Sequence, residues 1–587
     1  AQALAHKCTA GMAAEEEVQY PTGFGGMLPD GQELHSRIGP ERWCVTKIDL
    51  RDLRREVKAS IRRGTTLPTA DNPFDLEDNT LGPNIYTVTE QHIKPVTRAA
   101  GNMSWALMRH PEGLPVDVFI THAWQEGVFE FIDKVLASWP RGAQHAWCCM
   151  LANPQNLDIA ALVQSPLNSP FARALSAASS MLVVPNHHES IYLRLWCAYE
   201  AHLAYQWGKV IATANAPIPR ASWSSLLPML TCLLVGLLCG AVSDLASTEL
   251  SWFLLAPGAM CVLLTFIVRK SSARRVFAYC GMWLTTFNIV LFCRARLAMR
   301  EIDLGFWDRL ALLACESLNF VMCEVDRLRN EVADCEAREL RRNYRGSIRD
   351  ARCTAALDAE RIGAEIGDAM DDVDKAVEVL IRAGMSTPSL QRAAARGVDV
   401  TRVAHTQIAA VSSGWLCTVL TGLLDGIFAG LLLDWAVLAV AISWILATMR
   451  MPADERAFSV SVAEKMMCFA ILFGLVPRAV LHGMGRLPYN FVEEKIFIGS
   501  MFLAWWGGAL VFACARIDGI AGWPGCGPSL ARLLAARGLR QLCGMRPKSK
   551  EVSGSSARSM EFLRAGSESD AETPDSSASE LSDSTMP

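Results

Sequence analysis

At 587 residues the chain exceeds the size of one compact core, so several units are expected. Half of its residues (51%) are apolar, 20% are charged and the mean hydropathy is +0.20, more apolar than an ordinary soluble chain, with the excess gathered in blocks. A formal net charge of −4 leaves no basic excess to hold a phosphate backbone, which excludes nucleic acid as the expected partner.

Residues 1–110 are rich in Pro, Gly and charge, with helical potential only over 51–63, and read as a loosely ordered leader. The opening AQALAHKCTAGMAAEEE has no initial Met and neither the basic start nor the apolar stretch of a secretory signal, so this end reads as incomplete or processed. From Val116 the pattern changes. VDVFITH is a short β-branched and aromatic run, residues 124–139 have helical periodicity, and HAWCCML is a second buried run. A short helix over 171–178, the run SMLVVP and a helix over 190–208 follow. Strands alternating with helices imply a parallel sheet with helices on its faces, so residues 111–212 read as a small α/β domain.

Residues 213–300 hold a first cluster of membrane-length apolar segments, 226–242, 250–268 and 276–293; about 20 apolar residues are needed to cross the hydrocarbon core. Arg274 and Arg275 flank the third segment on one side and Arg294, Arg296 and Arg300 on the other, which sets it against the rule that basic flanks stay on one side. That segment either crosses or lies re-entrant or interfacial. Residues 301–411 read as a helical soluble insert, with one apolar stripe at Val321, Val325, Leu328, Val332 and Cys335 and another at Ile362, Ile366, Val373, Val377 and Leu380. Such faces pack on each other or mediate self-association.

A second cluster, 412–518, comprises 415–449, split into two helices at Asp434 and Trp435, then 466–483 and 498–515, giving six or seven spans in all. Asp425, Arg478 and His482 are the ionisable residues inside these blocks, where charge is costly and tends to face a cavity or partner. Residues 519–587 form a basic and then acidic, Ser-rich tail that lacks the apolar content to fold. The cysteines have no CxxC pair or repeated spacing. Neither Cys148–Cys149 nor His187–His188 has zinc-ligand spacing, so no metal is expected.

The α/β segment resembles a known family. VDVFITHAW looks like the first strand of a Toll/interleukin-1 receptor (TIR) domain, and SSMLVVPNHHESIYLRLWCAYEAHLA looks like its later strand, loop and WCxxE helix. THAW, SPFARAL and RLWCAYE in this order are similar to uncharacterised multi-pass membrane proteins of unicellular algae. The resemblance implies a flavodoxin-like parallel sheet and, in members that cleave NAD, a catalytic glutamate at the position of Glu200, with His122, Trp124, Trp196 and Cys197 shaping the pocket. A carboxylate there would stabilise positive charge developing on the ribose or orient its hydroxyls. After Lys209 a short VIA run leads to the Pro217 and Pro219 linker, so the last elements of a full TIR domain are missing, and no GxGxxG cradle is present.

The combined expectation is a mixed fold: a cytoplasmic TIR-like α/β domain, then an all-α multi-pass region with a helical insert. The leading function is a membrane-embedded signalling or interaction module whose partners are the bilayer and other TIR-like domains. Two alternatives stay open: an NAD-cleaving hydrolase using Glu200, with NAD as substrate rather than bound cofactor, and a channel or transporter regulated by its soluble parts.

Overall fold

The apolar runs of the α/β segment become four parallel strands of a small sheet. In the computed structural model, residues 30–535 are described apart from 246, 269, 301–303, 354–355, 402, 405–406, 429–431 and 487–490. Strands β1 (Val118–Thr121), β2 (Ala146–Cys148), β3 (Ser180–Val183) and β4 (Val210–Thr213) lie in the order β2-β1-β3-β4. Val118 pairs with Ala146 on one side and Ser180 on the other. This order places a topological switch at β1, where connections leave in opposite directions. Parallel strands are buried on both faces, which is why VFIT and AWC read as unbroken apolar runs rather than alternating ones.

One face of the sheet, with Val118, Ile120 and Leu182, packs on α1 (Lys47–Arg62) and α2 (Val128–Ala137). The other, with Phe119, Met181 and Ile211, packs on α3 (Pro170–Ala177), α4 (Leu195–Gln206) and the insert helix Met370–Ala383. The expected loose leader is therefore corrected over its described part. Thr46 and Asp49 close a capping box at the start of α1, and the Leu50, Leu53 and Val57 stripe is fully buried against the sheet. Val45 pairs antiparallel with Ala146 on the outer edge of β2. The opposite edge is closed by β5 (Met385–Ser386), whose residues pair antiparallel with Ala212 and Ile211. The sheet is thus five-stranded and mixed, and both its edges are covered by chain from outside residues 111–212.

Beyond the Pro217 and Pro219 linker the chain is helical. Helices α5 (Leu226–Val242), α6 (Thr248–Ile267) and α7 (Ser271–Met299) pack together, followed by α8 (Leu304–Arg341), α9 (Ile408–Phe428), α10 (Leu432–Arg450), α11 (Asp454–Gly483) and α12 (Phe491–Ala515). Among the described residues six helices are long and apolar enough to cross a membrane: those beginning at Ser222, Thr248, Ser271, Leu432, Asp454 and Ile496. These are what an integral membrane protein requires. The third, at 29 residues, is one unbroken helix, so its two basic flanks sit at opposite ends. At its far end Arg294 donates to the carbonyls of Gly240 (3.0 Å), Ala241 (2.9 Å) and Ser243, the orphan acceptors at the end of α5. Gly236 and Gly240 let α5 approach α7 closely; a Cβ at these positions would sit 2.7 Å from the Trp283 carbonyl and 3.1 Å from the Phe287 carbonyl.

Other expectations need adjustment. Asp434 lies in the first turn of α10, so the division of the 415–449 block falls before it rather than at it. The insert is not wholly soluble in character: α8 begins among the apolar helices α6, α7 and α9 and runs on to the α/β domain. The Ile362, Ile366, Val373, Val377 and Leu380 face is used within the chain, against Tyr192 and Tyr199 of the α/β core. Residues Ile517–Ala521 and Gly527–Ala535 are helical and bury Ile520, Ala531 and Leu534, so the tail begins later than 519; its acidic, Ser-rich part lies outside the described residues.

If the leader is part of the core, Leu53→Ala lowers stability by roughly 2–5 kcal/mol, the ordinary cost of truncating a fully buried leucine. Denaturant unfolding followed by tryptophan fluorescence reads this, since Trp43, Trp105 and Trp147 are buried in the same domain. A loose leader would show no change.

Candidate functional site

The C-terminal ends of β1 and β2 and the start of α4 bring one group of side chains together. β1 ends at Thr121 and is followed by His122; β2 is followed by Cys149; Arg194 precedes α4, and Cys197 and Glu200 stand one and two turns into it. The crevice outside such strand ends is where open α/β sheets bind ligands. Glu200 is 5% exposed. Burial pushes its carboxyl up to about 7, against the Thr121 hydroxyl and the Arg194 guanidinium, both of which favour the anion. Buried atoms of Arg194 (Nη1), His122 (Nδ1) and Glu126 (both carboxylate oxygens) make no hydrogen bond of good geometry, a concentration of unmet polar groups.

His122 sits at the centre of this group, with its Nε2 3.1 Å from Cys149 Sγ and 3.5 Å from Cys148 Sγ, while Cys197 Sγ lies 3.6 Å from the His122 carbonyl. Its Nδ1 lies 3.4 Å from Glu126 Oε1. Burial lowers the imidazole to about 3, helped by Arg194, and raises the Cys149 and Cys197 thiols to about 12, helped by Glu200. At neutral pH the pair is therefore thiol and neutral imidazole. It lacks the thiolate of a cysteine nucleophile.

Of the residues singled out from sequence, Glu200, His122 and Cys197 meet here, and Trp124 reaches Cys149. Trp196 is engaged in an aromatic run, stacked on Phe171 at 5.2 Å, with Phe171 in turn against Trp147. Lys209 donates to the Ser176 and Ala178 carbonyls and does not pair with Glu200. In the bundle, His482 is buried and stacks on Trp252 at 4.7 Å, and Arg478 lies over the Phe497 ring at 4.5 Å. The side chain of Asp425 lies outside the described residues. Among the described residues no group of three or more His, Cys, Asp or Glu side chains is placed to hold a metal ion.

A second buried group, beside the end of β3, was not found from sequence. Lys134 of α2 is 3% exposed, and its ammonium contacts Glu130 (2.9 Å), Glu336 (2.7 Å), Glu339 (2.7 Å) and the Pro185 carbonyl (2.8 Å). His187 Nδ1 lies 2.8 Å from Glu130, and the Ala216 amide donates to Glu336 at 3.1 Å. Burial lowers the ammonium's affinity for its proton, but the three carboxylates outweigh this and hold Lys134 charged; burial also raises Glu336 to about 7. The spacing of Glu130 and Lys134 at i and i+4 was a visible signal. Glu336 and Glu339, some 200 residues away on α8, left none.

No family model matches the chain, and it finds no match among the curated proteins or the solved structures.

The raised pKa of Glu200 has a definite sign. Its contribution to stability is fully present below its ordinary pKa of 4.5 and is lost as pH rises through about 7, because the folded state then has to release a proton it holds more tightly than the unfolded chain does. Glu200→Gln is therefore expected to become more stable relative to wild type as pH rises, by at most on the order of 3 kcal/mol at pH 8. The difference between the two melting curves across pH 4–8 isolates this group, since His122 acts in the opposite sense in both. A constant difference would show that Glu200 does not titrate there.

Proposed function

We propose that the chain is a multi-pass membrane protein whose TIR-like α/β domain is a cytoplasmic signalling or interaction module, held in register with the membrane bundle by α8. One observation carries this reading. The 38-residue α8, roughly 57 Å long at helical rise, is continuous from the bundle to the α/β domain, where Glu336 and Glu339 grip the buried Lys134. A rigid element anchored at both ends is a physical connection through which a change in one part alters the other. Supporting the family reading are the parallel order β2-β1-β3-β4 and the position of Glu200 at the strand ends; supporting a cytoplasmic domain are Arg274 and Arg275 at the end of the bundle that meets it.

The NAD-cleaving reading draws on a different observation, the meeting of Glu200 with Arg194 in the strand-end crevice. Against it, Glu200 is enclosed, and α4 is covered by the insert, with Tyr199 bonded to Glu365 and the Leu193–Leu195 backbone paired with Arg352. The interaction module is therefore the reading preferred.

Two measurements on the full-length protein in detergent test it. Lys134→Met leaves the buried Glu336 and the half-buried Glu130 and Glu339 without their shared ammonium, so the α2 and α8 contact is expected to loosen by roughly 3–5 kcal/mol, read as faster hydrogen exchange over 128–137 and 330–341. Unchanged exchange would remove the proposed linkage. Nicotinamide release from NAD is expected to be absent from wild type and Glu200→Gln alike; release by wild type that Glu200→Gln abolishes would replace the interaction module with a hydrolase.

A further inference from the structure

The first half of α8 carries a polar stripe through the apolar bundle. Arg309, Glu316, Asn319, Cys323 and Asp326 follow one another at intervals of seven, three, four and three residues, which places them on one helical face. Most of them are held by neighbouring helices. Arg309 donates to Ser251 Oγ (3.0 Å), which donates to Asn288 (2.6 Å), and its guanidinium lies 3.6 Å over Trp252. Asn319 donates to the Ala410 carbonyl (3.2 Å) and to Ser413 (3.1 Å); Cys323 meets Thr265 (3.4 Å); Asp326 accepts from the Ala409 and Ala410 amides (3.2 and 2.9 Å).

Glu316 differs. Both its carboxylate oxygens are buried, and the polar group beside them is the neutral Thr285 hydroxyl of α7. The side chain lines an apolar cavity of about 100 Å³, together with Leu255, Ala259, Cys417, Ile471 and Trp505, and it is the one carboxylate among the described residues lining it. Its depth follows from its neighbours. Gly258, whose Cβ if present would lie 2.8 Å from Glu316 Oε1 and 3.4 Å from Thr285 Oγ1, is the eleventh residue of the 20 in α6. Thr285 is the fifteenth of 29 in α7, and Cys417 the tenth of 21 in α9. The carboxylate therefore stands halfway along the bundle. Two of the surrounding helices are irregular at this level. Pro257 removes a hydrogen bond from α6, and α11 takes a π-helical turn over Ala470–Leu475, which lines the cavity with Ala470, Ile471 and Leu475.

An ionised carboxylate buried among apolar groups with a neutral hydroxyl beside it is still strongly unfavourable, so the group needs a counter-charge or a proton. The ionisable groups facing it from the described elements are Arg309, seven residues away on α8, and the thiols of Cys315 on α8, Cys261 on α6 and Cys417 on α9. The lining has no set of oxygen ligands such as a hard metal cation requires. A proton requires none. We propose that Glu316 is a proton-binding site at the middle of the membrane bundle, and that it is the carrier in a proton path along the polar stripe of α8. The step is a simple one: the carboxylate takes a proton from one side to become a neutral acid and releases it to the other.

This inference rests on the membrane reading of the bundle but not on the role of the α/β domain. The test is full-length protein reconstituted in phosphatidylcholine vesicles, with a trapped pH-sensitive dye, an imposed pH gradient and a valinomycin-clamped potassium potential. Flotation establishes insertion first, and protein that does not float with the vesicles overturns the membrane reading itself. Floating wild type is expected to move protons faster than empty vesicles do, and Glu316→Gln to return the rate to that of empty vesicles. An infrared carbonyl band of a buried protonated carboxyl should vanish in the same variant. If Glu316→Gln fails to fold, Glu316→Asp, which withdraws the carboxyl from the cavity, is expected to slow the flux. Floating wild type without flux, or flux indifferent to these substitutions, overturns the proposal.

Discussion

A parallel sheet of four short strands has two faces and two edges to cover, and the segment that forms the strands cannot cover them all. Its own helices α3 and α4 occupy one face with the insert helix Met370–Ala383, and the other needs α1 from the leader. Val45 closes one edge and Met385–Ser386 the other. The need to remove backbone amides and carbonyls from water therefore recruits chain from more than 60 positions before the first strand and from more than 160 after the fourth. Since the bundle helices α5 to α8 lie between β4 and β5 in sequence, completing the sheet also attaches it to the bundle.

Helix α8 meets two environments with one continuous backbone. Its first half meets apolar helices with residues such as Leu313 and Phe320, while its polar stripe, Glu316 apart, turns inward to groups that satisfy it. Its second half presents Glu336 and Glu339 to a buried ammonium. Neither half could be moved along the helix by a residue without turning both sets away from their partners, because each residue is rotated about 100° from the last.

Three of the four parallel strands were legible in the sequence because burial on both faces leaves continuous apolar runs, whereas Val210–Thr213, with alternating burial, showed only as a short VIA run; five of the six membrane-length helices were legible near their observed limits because apolar length is a local property. What is not local was lost. Two residues, Met385 and Ser386, carry no strand signal until Ile211 and Ala212 lie beside them. The first half of α8 was hidden by its own charges, since Asp308, Arg309 and Glu316 lower its hydropathy while its packing is that of a bundle helix. In the candidate site, Glu200, His122 and Cys197 were named through resemblance, but Glu126, Cys149 and Arg194 were not; the burial that sets the protonation of all of them cannot be read from residue order.

The contacts between α5 and α7 bear on how such a chain is made. Arg294, at the far end of α7 from Arg274, binds the last carbonyls of α5, and those acceptors come within reach only when Gly236 and Gly240 have let the two helices close. Basic residues at that end would otherwise hold α7 back during insertion. The glycine pair in one helix thus provides a docking place for the arginine of the other, so the charge at the end of α7 is met by backbone carbonyls of α5.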